Sequence, residues 1–362
     1  MRNYRVAVAG CGVMARTWVQ YLTDRRDCTI ISLMDVDPNA TQRMAERFGL
    51  SCPRYTQVGQ SIADRPDILC DLTVPSAHEG VTCAALEAGI DVFGEKPISD
   101  CFSSALRIAK TARRTGRWYG LMQNRRYLAP LRDMRAFLET GRLGKPQIVT
   151  ADFFIGPHFG GFRDKMTHPL MVEMAIHTMD QCRLLTGAVP VDVFCREFRT
   201  KHSWFGGNCS AICTFSMSDG SVFSYRGCWS AEGCRTSWES QWRVVCEKGS
   251  MVWDGLGRPV AGVAGKRQDE IDFTYDDVSI DIPAVYRGRE GHFGCLDAMF
   301  EAYGEGRRAE TDWADNLYSV AMAFAAIKSA ETQRTVRIVE LFEAGREEDA
   351  DAGQTQDGHI QL

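Results

Sequence analysis

The chain is 362 residues long, 44 per cent apolar and 25 per cent charged, with a formal net charge of −5. Its length exceeds the usual single domain, so two domains are expected, and either half is long enough to bury a core. The charge balance gives a polyanion no global basic surface to find, so no nucleic-acid partner is expected.

At the N terminus, Val6 and Val8 belong to a short β-branched run that suits a buried parallel strand. The chain then reads Gly10-Cys-Gly12-Val-Met-Ala15. Gly10 allows a tight turn, Gly12 lets the backbone approach a pyrophosphate, and the small Ala15 lets a helix starting near Val13 pack closely on the strand. Phosphate would sit at the N terminus of that helix, where free N–H groups point outward, with Cys11, Val13 and Met14 beside it. Thr29 to Met34 reads as a second strand ending at Asp35, where a carboxylate is placed to meet ribose hydroxyls. No arginine follows in Val36-Asp37-Pro38, and a carboxylate repels a 2′-phosphate. The cofactor is therefore read as NAD, with NADP the lesser candidate.

Pro38 opens a helix and Gly49 follows its end, the usual asymmetry of helix termini. Ile68 to Val74 is a further strand ending at Pro75, after which Ser76 is placed to cap a helix to about Ala88. Pro75 and His78 are assigned to the cofactor pocket, because ligands of such sheets bind beyond the carboxyl ends of the strands. Ile90 to Phe93 is strand again, followed by Gly94-Glu95-Lys96-Pro97, with Glu95 and Lys96 also assigned to the cofactor. Ser99 or Asp100 would cap the next helix, and Trp118 to Met122 would be the last strand. Strand and helix thus alternate to about residue 123, which specifies a doubly wound parallel sheet, a Rossmann-type NAD-binding domain over residues 1–123.

The pattern changes beyond Gln123-Asn124-Arg-Arg126-Tyr127. After a helix from Pro130 to Thr140 the strands become long. Cys209–Met217 meets Val222–Trp229 across Ser218-Asp-Gly-Ser221, a hairpin signal, and Trp238–Cys246 and Met251–Trp253 flank another turn. The second domain, 124–344, is expected to be α+β with an antiparallel meander, a substrate-binding and oligomerisation domain. Helices return at Arg289–Tyr303 and Trp313–Glu331, and a C-terminal helix is expected to pack back on the first domain. The tail from Gly345 lacks apolar periodicity and is expected to be disordered. The 14 cysteines include no C-x-x-C pair, so they read as core thiols in a reducing compartment, with neither a disulfide framework nor a zinc site. A first strand near residue 4 and no uncharged apolar run of spanning length point to a cytoplasmic protein without a membrane partner.

Two groups carry the chemistry. Lys96 lies just past a strand end, beside the place where Gly12 puts the cofactor. The other is His168-Pro-Leu-Met-Val-Glu173-Met-Ala-Ile-His177-Thr-Met-Asp180. Helical spacing puts Glu173 and His177 on one face, with Asp180 a turn further on. A histidine oriented by a carboxylate can take a proton from a hydroxyl near neutral pH. The same spacing occurs in ordinary surface pairs and, with a third ligand, in metal sites; no metal is assigned.

The glycine loop, Glu95-Lys96-Pro97, Asn124-Arg-Arg-Tyr127, the Glu173…His177…Asp180 helix and Ala325-Ala-Ile-Lys-Ser-Ala-Glu331 together resemble the Gfo/Idh/MocA family of sugar and polyol oxidoreductases. The resemblance implies a Rossmann domain followed by an open-faced, mostly antiparallel sheet domain, paired into a homodimer or homotetramer through the sheet face. It implies that Lys96 contacts substrate and nicotinamide ribose and that His177 is the base. The family's usual aspartate is Glu173 here, and its common glycine is Ala175, so the orienting charge is moved by one methylene. Further substrate contacts are expected from position: Asn124 and Arg126; His158, Arg163 and His168 around Gly160-Gly161; and Trp229 as an aromatic face.

The resulting expectation is an NAD-dependent oxidoreductase acting on a secondary alcohol of a sugar, polyol or inositol-like cyclitol, with His177 as general base, Lys96 as the substrate and proton-relay residue, and Glu173 also in catalysis. Two alternatives use the same fold. One is an NAD-retaining, redox-neutral glycoside hydrolase or lyase, and the other is a non-catalytic sugar-sensing regulator.

Overall fold

Along residues 4–121 of the computed structural model, strands alternate with helices: β1 (Tyr4–Ala9), α1 (Ala15–Asp24), β2 (Cys28–Met34), α2 (Pro38–Phe48), β3 (Arg54–Tyr55), α3 (Val58–Ala63), β4 (Ile68–Asp71), α4 (His78–Glu87), β5 (Asp91–Gly94), α5 (Phe102–Thr115) and β6 (Tyr119–Leu121). All are parallel, in the order β3-β2-β1-β4-β5-β6. The order reverses between β1 and β4, so a crevice opens beyond the carboxyl ends of those two strands. Val6, Val8, Ile68 and Cys70 are wholly buried, because helices cover both faces of a parallel sheet. The structure describes residues 3–265 and 277–344; the tail expected to be disordered lies outside them.

Helix starts depart from the sequence reading where hydroxyl caps were expected. Residues 12–14 form a turn and α1 begins at Ala15, not Val13. Ser76 caps nothing: Pro75–Ala77 make a 3₁₀ turn that runs into α4. Neither Ser99 nor Asp100 caps α5, whose N-cap is Cys101; the Ser99 hydroxyl donates instead to the Asp100 carboxylate at 3.3 Å. By contrast α2 opens at Pro38 and stops before Gly49, as its sequence says. Asp37 accepts from Asn39 N at 2.9 Å at one end, and Gly49 closes the other at φ +63°.

The rest of the chain forms α6 (Ala129–Glu139), β7 (Pro146–Phe154), α7 (Ile176–Thr186), β8 (Pro190–Phe198), β9 (Ser210–Met217), β10 (Val222–Cys228), β11 (Gln241–Cys246), β12 (Gly249–Trp253), β13 (Val260–Val263), β14 (Val278–Asp281), α8 (Gly291–Gly304), α9 (Trp313–Thr332) and β15 (Val336–Arg337). The sheet order is β14-β13-β12-β11-β7-β10-β9-β8-β15. Both expected hairpins, β9–β10 and β11–β12, are present. The meander is interrupted, however: β7 inserts between β10 and β11, parallel to the first and antiparallel to the second. Alternation in a sequence fixes which face a strand buries, not which edge it pairs.

One sheet face packs on α7 and α9, burying Ala211, Cys213, Phe215, Phe223 and Tyr225 with Met179, Val320 and Ala323. The other face leaves Ile148, Phe194, Phe198, Ile212 and Val222 between 38 and 49 per cent exposed. Helix α8 leaves this sheet and joins the first core. Cys295, Leu296, Met299 and Phe300 bury with Tyr4, Trp18, Tyr21 and Phe93, and the Phe93 and Phe300 rings lie 4.9 Å apart. Ala129 N donates to Glu290 Oε2 at 2.8 Å, so the first turn of α8 rests against the segment that follows β6.

Candidate active site

The crevice is shaped by what its glycines exclude. At Gly10, φ is +90° and a Cβ would stand 2.4 Å from the Leu72 carbonyl oxygen, so only glycine fits. At Gly12 a Cβ would meet nothing within 4 Å, which leaves open space over the turn. No side chain caps α1; Arg16 N and Thr17 N donate to the Val13 and Met14 carbonyls, and the positive end of the helix still points at the turn, which suits a phosphate. Asp35 is fixed under the loop: Oδ2 accepts from Cys11 N at 2.7 Å and Oδ1 from Asp37 N at 2.9 Å. Val13, Val36 and Val74, at successive strand ends, are 72, 87 and 55 per cent exposed, and Met14 is 41 per cent exposed. Open space, an uncapped helix, a fixed carboxylate and apolar walls fit a bound dinucleotide.

Two residues expected in that pocket are turned to other work. The Cys11 side chain is buried, and its thiol, pushed up to about 12 by burial and then by Asp35, faces the Met34 carbonyl. His78 is buried, with its ring nitrogens 2.9 and 3.1 Å from the carbonyl oxygens of Pro97 and Thr73. It therefore ties the β4 and β5 turns together, while Pro75 stays half-buried at the start of the 3₁₀ turn.

Beyond β5, the Glu95 carboxylate accepts from the Trp18 indole at 2.7 Å and from Lys96 N at 3.1 Å. The Lys96–Pro97 peptide bond is cis. Lys96 Nζ reaches across to the second domain, where it donates to the Glu173 carbonyl at 3.0 Å and lies 3.9 Å from Glu173 Oε2. Glu173 sits in a π-helical stretch, Leu170–Ala175, that precedes α7. A π turn bonds residue i to i+5 and abolishes the α-helical spacing expected between Glu173 and His177. The orienting pair is accordingly absent. Glu173 Oε2 accepts from Arg163 Nε at 3.1 Å, and His177 Nδ1 is buried without a partner. Burial, followed by the positive charges of Lys96, Arg125 and His292, holds the His177 imidazole well below the ordinary histidine range. It is thus neutral near pH 7 and free to accept a proton.

The expected substrate contacts divide. Arg163 stands beside Glu173, its guanidinium 4.6 Å from the ring centre of Phe162. Asn124 is half-buried, and its amide bonds to no described residue. Arg126 is committed elsewhere: its guanidinium donates to Asp180 at 2.6 and 2.8 Å and to Asp315 at 2.6 Å. Asp180 likewise serves this buried pair instead of the histidine. Trp229 is 1 per cent exposed and stacks on Phe205 at 5.2 Å, so it packs the core. His158 lies flat on Trp204 at 3.7 Å, with Nε2 3.2 Å from Glu232. His168 Nδ1 is 2.6 Å from Glu197, whose carboxylate holds the imidazole above its ordinary range. Sequence reasoning passed over Arg125 and His292. Arg125 adjoins Arg126 in the sequence, whereas nothing in the order of residues links His292 to residue 177.

Among the described residues, no group of three or more His, Cys, Asp or Glu is placed to hold a metal ion, and no helix is long and apolar enough to cross a membrane. All fourteen cysteines are free.

The doubly wound sheet with its glycine turn defines an NAD-binding Rossmann domain. Residues 4–122 match the model described as "Oxidoreductase family, NAD-binding Rossmann fold", and residues 131–252 match the GFO/IDH/MocA C-terminal domain. The chain belongs to the Gfo/Idh/MocA family. It is 25 per cent identical over 356 residues to an uncharacterized protein, y4oX, of Sinorhizobium fredii, covering 95 per cent of this chain and 98 per cent of that one. It is 26 per cent identical over 185 residues to inositol 2-dehydrogenase/D-chiro-inositol 3-dehydrogenase of Lacticaseibacillus casei, a match spanning 50 per cent of this chain and 52 per cent of the relative. In fold it is similar to an oxidoreductase from Agrobacterium radiobacter solved with NAD+, L-tartaric acid and magnesium. The TM-score is 0.81 at 20 per cent identity, over 94 per cent of this chain and 99 per cent of the other.

Proposed function

We propose that the protein oxidises a secondary alcohol of a sugar, polyol or inositol-like cyclitol with NAD. The observation that carries this reading is a buried, neutral His177 across the domain boundary from Lys96, at the strand ends beside the dinucleotide crevice. When bound, NAD supplies the hydride acceptor. His177 Nε2 or Nδ1 takes the hydroxyl proton as general base. Lys96 holds the substrate oxygen, and Glu173 positions Lys96 through its carbonyl and carboxylate. Trp18 fixes Glu95 and so the strand end from which Lys96 projects. The names of curated relatives, an inositol dehydrogenase and 1,5-anhydro-D-fructose reductase among them, support a polyhydroxylated substrate. Asp35 favours NAD over NADP, since its carboxylate would repel a 2′-phosphate at the end of β2.

In this reading residues 1–123 hold the cofactor and 124–344 the substrate, with α8 returning to the first core. The open sheet face, with its exposed Ile148, Phe194, Phe198, Ile212 and Val222, pairs two copies of the chain, and the free thiols suit a reducing cytoplasm. The test is a turnover assay with NAD and NADP over inositols, aldoses, polyols and aryl glycosides, following reduced nicotinamide and released aglycone together. NADH formation that vanishes in His177→Ala supports the dehydrogenase. Aglycone release without NADH would replace it with a redox-neutral hydrolase or lyase.

A further inference from the structure

Arg125 adjoins the arginine that the sequence points to, yet it has different surroundings. Residues 124–127 close into a 3₁₀ turn, in which neighbouring side chains leave in different directions. Arg126 faces Asp180 and Asp315, while Arg125 lies alongside α7: its carbonyl accepts from Gln181 Nε2 at 3.4 Å, and Gln181 stands one turn after His177. The Arg125 side chain is only 12 per cent exposed. Its Nη1 donates to the Trp238 carbonyl and lies 3.3 Å from Glu239 Oε2, whereas Nε and Nη2 donate to no described residue.

His292 comes from α8. It sits in the first turn of α8, which is held against the 121–129 segment by Glu290 and by the Cys295 thiol, 3.9 Å from the Leu121 carbonyl. Its imidazole bonds to no described residue. Burial, opposed by Glu95 and reinforced by Lys96 and Arg125, keeps it below the ordinary histidine range. The carboxylates near these groups are already engaged: Glu95 by Trp18 and the Lys96 N–H, Glu173 between Lys96 and Arg163, and Glu239 on one guanidinium nitrogen. What stays unanswered is a guanidinium edge with two donors, the geometry that takes a carboxylate in two parallel hydrogen bonds.

We propose that Arg125 and His292 form an oxyanion subsite beside His177 that takes a carboxylate borne by the substrate, so that the preferred substrates are aldonic or uronic acids. The proposal rests on the dehydrogenase reading for the place of the reacting carbon, and it names the substrate class that reading leaves open.

The test is calorimetric titration of the NADH-loaded protein with D-gluconate and D-glucuronate, and with the neutral counterparts D-glucitol and methyl glucoside. The acids are expected to bind at least about tenfold tighter. Arg125→Gln should remove that preference while leaving NADH affinity within a few-fold, and Arg125→Lys, which keeps the charge but loses the fork, should fall between. Equal affinity for acids and neutral compounds in the unaltered protein would overturn the subsite, whatever the variants do; so would a preference that survives Arg125→Gln. The two readings fail separately. Selective acid binding without NADH formation from any compound would sink the dehydrogenase and leave the subsite, whereas NADH formed from neutral polyols with no preference for acids would do the reverse.

Discussion

The imidazole of His177 is kept neutral by its surroundings. A histidine in water is half protonated near pH 6.5, but here desolvation and three neighbouring basic groups disfavour the charged form. The sign follows: protonation, and with it loss of the base, is displaced to lower pH. The acid limb of a kcat/KM profile should therefore lie below the ordinary histidine range, and a limb centred at or above pH 6.5 would contradict the assignment. The same shift acts on stability, since between the lowered pKa and 6.5 the unfolded chain binds a proton that the folded one refuses. Its contribution to stability is intact above 6.5 and declines as pH falls. Replacing the base, His177→Ala, should cut turnover about 10²–10⁴-fold with NADH affinity within a few-fold; a large loss of NADH binding would make the histidine structural. At the other end of the cofactor, Asp35→Ala should lower kcat/KM for NAD by about 10–100-fold, the worth of a hydrogen bond to a charged group, and narrow the preference over NADP. An unchanged NAD:NADP ratio in kinetics would remove Asp35 from ribose recognition.

Among the elements, the π stretch before α7 has the largest consequence. It turns Glu173 toward Lys96 and Arg163 and leaves Asp180 to the buried pair with Arg126, which Asp315, Arg183 and Ser319 complete. Removing one partner of such a pair strands a buried charge and costs about 3–5 kcal/mol. Asp180→Ala should accordingly lower the free energy of unfolding in a denaturant titration by about 3 kcal/mol, the low end, because Asp315 still contacts Arg126. Adding Arg126→Met should restore much of the loss, and a double variant no more stable than the single would show that the pair is not the cause. These contacts mark the limit of what was legible in the sequence. The glycine turn, Asp35, the Glu95-Lys96-Pro97 strand end, α2 between Pro38 and Gly49 and both hairpins follow from local rules that neighbouring residues satisfy by themselves. The orientation of Glu173 does not, because one extra residue per turn leaves no mark in a pattern of apolar positions. The commitment of Arg126 to a buried pair was hidden for a similar reason: in a short 3₁₀ turn the direction of each side chain is set by partners far along the chain, Asp180 and Asp315 for Arg126 and the Trp238–Glu239 segment for Arg125. His292 reaches the site only because α8 abandons the second sheet for the first core.

At the scale of the molecule, the nine-stranded sheet has one face sealed by helices and one open. On the open face Ile212 of β9 lies opposite Arg196 of β8 and therefore diagonal to Phe194 and Phe198, while Val222 of β10 lies opposite Ile148 of β7. Between these two apolar groups runs the Arg226–Asp152 ion pair, with Arg226 Nε 2.7 Å from Asp152 Oδ1. Exposed apolar groups with charges among them suit a protein–protein surface, and a two-fold axis through it would bring like residues together in an isologous interface. That arrangement predicts the effect of charge: Phe194→Asp with Ile212→Asp places two carboxylates on each copy at a surface that faces itself. The dissociation constant of the proposed dimer should rise at least about 100-fold, since like charges set against each other cost several kcal/mol, and the mass measured by sedimentation at micromolar concentration should fall to that of one chain. Neither residue touches the Lys96–His177 cluster, so NADH binding to the separated chain should persist. A mass unaltered by the double variant would overturn the proposed pairing of chains through the open sheet face.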